Sequence, residues 1–561
     1  MIPEIFNRIR DEGERPIWIS LADEEAAIAR ADSVDPGLPL AGVPFAVKDN
    51  FDVAGLATTA GCPSFSYVPS RTATVVQRLF DAGAILIGKT NMDQFATGLV
   101  GTRSPYGACS SIYDARYISG GSSSGSAVAV AKSFCTFSLG TDTAGSGRVP
   151  AAFNNLVGLK PTRGLLSASG VVPACRSLDC VSIFSRTARD ARSIWNVARG
   201  FDGNDPYSRI LPSGADAAPW LNGAFRFGIP NDEQLQFFGD DDAQRLYRQA
   251  AERLQYIGGI PTTIDFTVFQ EAAQLLYSGP WVAERFAAVG EFLSTATEGV
   301  NEVVKNIILG GAKYSAADAF RSMYQLEALK QKAAEQWSRM DVLLLPTTGT
   351  IYTHEEIAAD PVRLNSNLGF YTNFVNLMDL AAIAVPAGFR PNGLPFGVSL
   401  IAPAFSDEAL LGLAEQYLGE HDDDERLTTG WVLVAVASAH LTGQPLNHEL
   451  TNRRARLVKT CRTSGEYRLY ALNNTKPPKP GLVREPKFTG WGIEVEVWAI
   501  PENTFGGFVA GIPAPLGIGT IQLEDGSSVK GFICEPAGLS GAEEITRFGG
   551  WRSYVRCSQQ L

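Results

Sequence analysis

Two serine- and glycine-rich stretches, GGSSSGSA at residues 120–127 and GTDTAGSGR at residues 140–148, decide how this chain is read. Glycine lets the backbone turn tightly and bring its amides inward, and the serines beside it offer hydroxyl nucleophiles. Ser146 stands in such a setting, AGSG after an apolar run, where converging amides can hold the oxyanion of an acyl-transfer intermediate. Neither stretch ends in GK[ST] and neither has the GxGxxG spacing, so a phosphate-gripping loop is the poorer reading. A flexible loop without chemistry is the alternative for either stretch taken alone. A serine nucleophile ordinarily has a histidine beside it. All four histidines (His354, His421, His440, His448) lie beyond residue 353, which directs the search for a proton acceptor to another residue type, lysine first.

Outward from these stretches, short β-rich runs alternate with helical ones: VPFAVKD ending near Asp49, the helically spaced TATVVQRLFDAG (72–83), then AILIGK (84–89). That alternation predicts an α/β fold with a mixed or parallel sheet. The small apolar residues after GGSSSG predict a buried helix whose first amides point into the glycine-rich bend. Residues 240–340 are dominated by long helical patterns, expected to cover the sheet. VLLLPTT (342–348) and LAAIAVPAGF (380–389) return as strands before a helix near Asp407 to Leu418. In EHDDDERLTTG (420–430) like charges repel and solvate, which predicts a linker. Beyond it EYRLYAL, IEVEVWAI and GTIQLEDGSSVKGFICE, set between Pro/Gly loops, predict a separate β-rich domain. The expected division is a catalytic domain over 1–425 and a smaller domain over 430–561.

With 561 residues, 45% of them hydrophobic and 19% charged, the chain has material for more than one core. A net charge of -11, with no local Lys/Arg run, argues against nucleic acid or an anionic membrane as partner and favours a small-molecule substrate. MIPEIFNRIRDEGERP has no apolar targeting core and no run reaches membrane-spanning length, so the expected location is the cytoplasm. The eight cysteines form no CxxC pair, which predicts reduced thiols and not a zinc or disulfide framework.

Taken with GVPFAVKDN at residues 42–50, the two serine-rich stretches resemble the amidase signature family. That resemblance implies Ser146 as nucleophile, Ser122 as a bridging serine preceded by a cis peptide bond, and Lys48 as base. It also implies an oxyanion hole from the amides of Thr143, Ala144, Gly145 and Ser146, with no metal or organic cofactor. The 24-residue separation of Ser122 and Ser146 agrees with the family. The chemistry is self-consistent: a lysine at its ordinary pKa of about 10.4 is protonated at neutral pH. Burial behind VPFAV lowers that value, and a hydroxyl between lysine and nucleophile can relay the proton both ways. Asp142 and Arg148 flank the loop and are read as structural supports. Ser124 and Ser126 stand where the family more commonly has glycine, without moving Ser122.

Four further runs resemble the allophanate hydrolase branch of the family over nearly the whole chain: FATGLVGTRSPYG (95–107), LYSGPWVAERFAAVGEF (276–292), LTGQPLNHEL (441–450) and FVAGIPAPLGIGTI (508–521). The terminal domain resembles a γ-glutamylcyclotransferase-like α+β fold. This resemblance implies allophanate as substrate, release of ammonia and N-carboxycarbamate, a functional link to a urea carboxylase in urea degradation, and a homodimer. A small ureido carboxylate asks for a fixed cation and a hydroxyl. Pro280 suits the first turn of a helix, which places Tyr277 just before it and Arg285 in its second turn, able to fork onto the carboxylate. An arginine at the surface, or paired with Glu284, is the alternative. His448 is the residue of the terminal domain singled out for a part in decarboxylation, against a purely structural histidine. Two other functions stay open: an amidase of other small-amide specificity, such as the amidase component of a tRNA-dependent amidotransferase, and a terminal domain that only oligomerises.

Overall fold

Runs such as PFAVK and ILIGKT carry no polar alternation, and the chain buries them on both faces within an eleven-stranded mixed sheet. The computed structural model describes residues 1–13, 16–214, 224–296, 298–420, 431–453, 455–473, 475 and 477–559. It divides into two units, Met1–Ala387 with Pro395–Ala414, and Gly388–Leu394 with Glu415–Leu561. Of the expected linker, residues 421–430 lie outside the described residues.

In chain order the strands of the large sheet are β1 (Trp18–Leu21), β2 (Pro44–Lys48), β3 (Ile85–Thr90), β4 (Phe137–Asp142), β5 (Val157–Lys160), β6 (Cys180–Ser185), β7 (Phe225–Pro230), β8 (Gly259–Ile264), β9 (Val342–Pro346), β10 (Leu380–Phe389) and β11 (Pro395–Pro403). Across the sheet their order is β1-β3-β2-β4-β6-β5-β10-β11-β9-β7-β8. β2 runs parallel to both β3 and β4, whereas β6 is antiparallel to β4 and β5. Because β2 and β4 are parallel, their carboxyl ends share one edge, where Lys48 closes one strand and Asp142 the other.

Helix α1 (Ser124–Ala131) fills the crossover into β4. Its Ala127, Val128, Ala129 and Val130 pack with Ala46 of β2 and with Ile85 and Ile87 of β3. The approach is close enough that a Cβ on Gly125 would overlap the carbonyl of Ile17. Ser124 and Ser126 are tolerated because each buried hydroxyl has an acceptor, the Asn91 carbonyl at 3.3 Å and the Leu139 carbonyl at 3.1 Å.

The helical cover comprises Asp241–Tyr256, α2 (Thr267–Ser278), α3 (Trp281–Thr295), Glu302–Leu309 and Ala316–Trp337. β8 interrupts it, a short strand whose middle residues are not buried and whose signal is swamped by the helical patterns on both sides. The break between α2 and α3 falls at Gly279–Pro280, so that Tyr277, in the last turn of α2, stands just before α3 and Arg285 lies in its second turn, as expected.

The strands of the second unit are β12 (Trp431–Val436), β13 (Arg456–Arg462), β14 (Tyr467–Ala471), β15 (Pro480–Arg484), β16 (Glu494–Pro501), β17 (Leu516–Gln522), β18 (Ser528–Cys534) and β19 (Glu543–Glu544). They form a five-stranded sheet, β13-β16-β12-β18-β17, and a three-stranded one, β15-β14-β19. Val434, Leu469, Val497, Trp498, Phe532 and Trp551 form the core of this unit. All eight cysteines are free thiols, and among the described residues no helix is long and apolar enough to cross a membrane.

Candidate active site

The carboxyl end of β2 and the two serine-rich loops bring three side chains into one hydrogen-bonded line. Lys48 Nζ donates to Ser122 Oγ at 2.8 Å, and Ser122 Oγ to Ser146 Oγ at 2.9 Å. The Gly121–Ser122 peptide bond is cis, as the resemblance implies. Lys48 Nζ has a second acceptor, Thr141 Oγ1 at 2.7 Å. This threonine lies within the quoted GTDTAGSGR, at the carboxyl end of β4 beside the carboxyl end of β2 that Lys48 closes.

Lys48 is fully buried, and removal from water pushes its pKa down from 10.5 to about 7. The negative charges of Asp93, Asp179 and Asp142 oppose that fall, while the positive charge of Arg285 adds to it. A lysine so placed holds a free electron pair near neutral pH. That is what a base in this position requires.

Asp142 organises the loop that carries Ser146. Its carboxylate accepts from the amides of Gly145 at 2.8 Å and Gly147 at 3.0 Å, and Arg148 forks onto both oxygens at 2.9 and 3.0 Å. Burial pushes the Asp142 carboxyl up, but the Arg148 guanidinium outweighs it and holds the group below the usual range. The supporting role expected of this pair is therefore given shape. These contacts also engage the Gly145 amide, one of the four expected oxyanion donors. Among the described residues the amides of Thr143, Ala144 and Ser146 make no hydrogen bond. Gly145 itself has a φ of 129°, and a Cβ there would overlap Thr372 Oγ1. Thr143 is steadied through its hydroxyl, which donates to Asp179 at 2.5 Å. Asp179 in turn lines a cavity of about 260 Å³ with Arg176, Asp205 and Tyr207.

Arg285 is buried, not at the surface. Glu284 turns away from it to Ser177, meeting that residue's amide and hydroxyl at 2.6 Å each. The Arg285 guanidinium lies 5.7 Å from the centre of the Tyr277 ring. Its Nη1 donates to Thr97 Oγ1 at 2.9 Å and to the Ala96 carbonyl at 3.3 Å, whereas Nη2 is buried with no hydrogen-bond partner. A buried guanidinium N–H without an acceptor is costly unless a ligand supplies one.

Residues 14–411 match the family model described as Amidase. The chain belongs to this family. Residues 432–556 of this amidase match the allophanate hydrolase C-terminal domain. Among curated relatives, the urea amidolyase of Lachancea kluyveri is 46% identical over 97% of this chain, which spans only 31% of that relative's length. The urea amidolyase of Saccharomyces cerevisiae is 44% identical over 96% of this chain and, again, 31% of its own length. Among solved structures, the allophanate hydrolase of Kluyveromyces lactis superposes with a TM-score of 0.72 at 43% identity, covering 99% of this chain and 97% of that one.

In the second unit of the amidase, His448 is exposed, its Nδ1 2.9 Å from the Pro445 carbonyl. It is His440 that is buried, stacked 5.0 Å from Phe532, with Nε2 3.1 Å from Glu449 Oε2 and Nδ1 unpartnered. Sequence reasoning passed over His440 because an isolated histidine at the head of a loop shows no periodic burial signal. Asp93, Thr97 and Asp179 were missed for a related reason: nothing in the local sequence tells a buried carboxylate or hydroxyl at an active site from one on a loop.

Proposed function

We propose that this amidase hydrolyses allophanate, with Ser146 as nucleophile, Ser122 as relay and Lys48 as base. Rotation of the two serine hydroxyls reverses the donor sense, so the Ser146 proton passes to Ser122 as that of Ser122 passes to neutral Lys48. Ser146 Oγ then attacks the terminal amide carbonyl of the substrate, and the amides of Thr143, Ala144 and Ser146 receive the oxyanion. The proton returns through Ser122 to the leaving nitrogen, and ammonia departs from the acyl-enzyme. Water attacks by the same path, and N-carboxycarbamate is released to break down into ammonia and carbon dioxide.

The observation that carries the choice of substrate is the unpartnered Nη2 of buried Arg285, a cation suited to the ureido carboxylate and close enough to act on Lys48. Tyr277 stands beside it as the hydroxyl donor. The urea amidolyase relatives and the allophanate hydrolase C-terminal domain support the same reading, together with a functional link to a urea carboxylase; a cytoplasmic homodimer is the form this reading expects. The test is ammonia release from allophanate, malonamide and a fatty amide under one set of conditions. Allophanate should be preferred by kcat/KM; no release from it, with turnover of another amide, overturns the assignment.

A further inference from the structure

We infer that Asp93 is a positioning residue for the lysine base: its buried carboxylate braces the Gly121–Ser122 peptide and faces Lys48 as the counter-charge to the ammonium formed during catalysis. The inference rests on the proposed role of Lys48 and deepens it.

The geometry comes from one loop. Asp93 is fully buried, and its own amide donates to the Ser122 carbonyl at 3.0 Å. Its carboxylate accepts from the amides of Gly101 at 3.0 Å and Arg103 at 2.8 Å, which closes residues 93–103 on themselves. From the same loop the Leu99 carbonyl accepts from the Gly121 amide at 2.9 Å. A Cβ on either Gly121 or Gly98 would overlap Asp93 Oδ2, so the carboxylate lies against the peptide that leads into the bridging serine. The loop also offers Ala96 O and Thr97 Oγ1 to Arg285, and so touches both the proton relay and the cation of the proposed carboxylate site.

The charges around Lys48 single out Asp93. Asp142 is matched by Arg148, and neighbouring Asp49 by Lys89 at 3.2 Å. Asp179 is held by the Thr143 hydroxyl and by the amides of Ala174 and Cys175. Among the described residues no cation lies within ion-pair distance of Asp93; the Arg103 side chain is turned to the carbonyls of Thr97 and Pro361. Of the three carboxylates acting on Lys48, Asp93 acts most strongly. Burial pushes the Asp93 carboxyl up, against the opposing pull of Arg103, the two loop amides and Lys48. Lys48 and Asp93 are therefore linked, each proton taken up by the lysine favouring the ionised carboxylate. Buried Cys109 is the other titratable group that senses Asp93.

The experiment is the pH profile of kcat/KM, with malonamide beside allophanate, for the full chain and for Asp93→Asn and Asp93→Glu, each variant's fold being checked by its melting curve. If the unaltered enzyme shows no acid limb, the lysine-base reading itself falls. If the limb is present, Asp93→Asn should move it to lower pH by about one unit and lower kcat on the alkaline plateau roughly tenfold or more, because the ammonium has lost its counter-charge. A lower kcat with an unmoved limb would mean that Asp93 only supports the fold, and would overturn the inference. Asp93→Glu keeps the charge, so its limb should stay within a few tenths of a pH unit while kcat falls. This variant decides the matter if the asparagine variant does not fold: a limb displaced downward despite the retained charge would overturn the inference.

Discussion

Replacing Arg285 by alanine separates a carboxylate-recognising enzyme from a general amidase. The guanidinium is buried, anchored through Nη1 to Thr97 and Ala96, and its Nη2 amino group has no hydrogen-bond partner. Its loss leaves a substrate carboxylate buried without its charge-assisted partner, typically on the order of 2–5 kcal/mol. At about 1.4 kcal/mol per factor of ten, that corresponds to a fall in kcat/KM for allophanate of roughly 30-fold to several thousand-fold. A second effect must be separated from the first. The Arg285 charge helps to depress the Lys48 pKa, so its removal raises that pKa and moves the acid limb of the profile to higher pH. Comparison at one fixed pH would mix the two, and each enzyme is therefore assayed on its own alkaline plateau. There malonamide, a neutral diamide of similar size, should lose far less than allophanate. Tyr277→Phe should show the same bias more weakly, since it deletes one neutral hydroxyl. Equal losses on both substrates would refute the reasoning and leave Arg285 as a structural residue.

Ser146→Ala should abolish ammonia release, while Lys48→Ala and Ser122→Ala each lose several orders of magnitude without adding in the double variant, because the three act as one proton-transfer unit; near-normal turnover by Lys48→Ala would remove lysine as the base. With Lys48 active only when neutral and its pKa lowered to about 7, kcat/KM should climb with pH through that value and then level, and a flat profile from acid to alkaline pH would count against it. Arg148→Met should lower stability by about 3–5 kcal/mol, since it leaves the Asp142 charge buried and unpaired; a melting curve unchanged from that of the parent would show that the pair is dispensable.

Which residues were legible in advance depended on how local their signals are. Short-range chemistry was readable. The glycines and serines of 120–127 and 140–148 announced tight loops carrying a nucleophile, and the distribution of histidines sent the search for a base to lysine. The unbroken apolar runs of β2, β3 and β9 announced buried strands, because a strand covered on both faces has no polar alternation to show. β8 was lost among helical patterns, whereas the helix start at Pro280 was legible because proline suits a first turn.

By itself the sequence pointed to the family and to Ser146, Ser122 and Lys48 as the proposed triad, since motif residues must stand at set positions on one loop or strand to act. Tertiary structure alone decided their environment. Thr141 and Ser122 meet Lys48 only because β4 lies parallel to β2 and the intervening helix returns the chain to the same edge. The Gly145 amide, expected to face an oxyanion, donates instead to the Asp142 carboxylate folded back onto it, and Arg285 loses the Glu284 partner its neighbourhood offered because Ser177 takes that carboxylate. Asp93 gained its place beside the relay from the way its loop closes on the amides of Gly101 and Arg103. The physical reason is common to all of these: desolvation and charge act through space, and what surrounds a buried group is set by segments brought together only when the sheet forms.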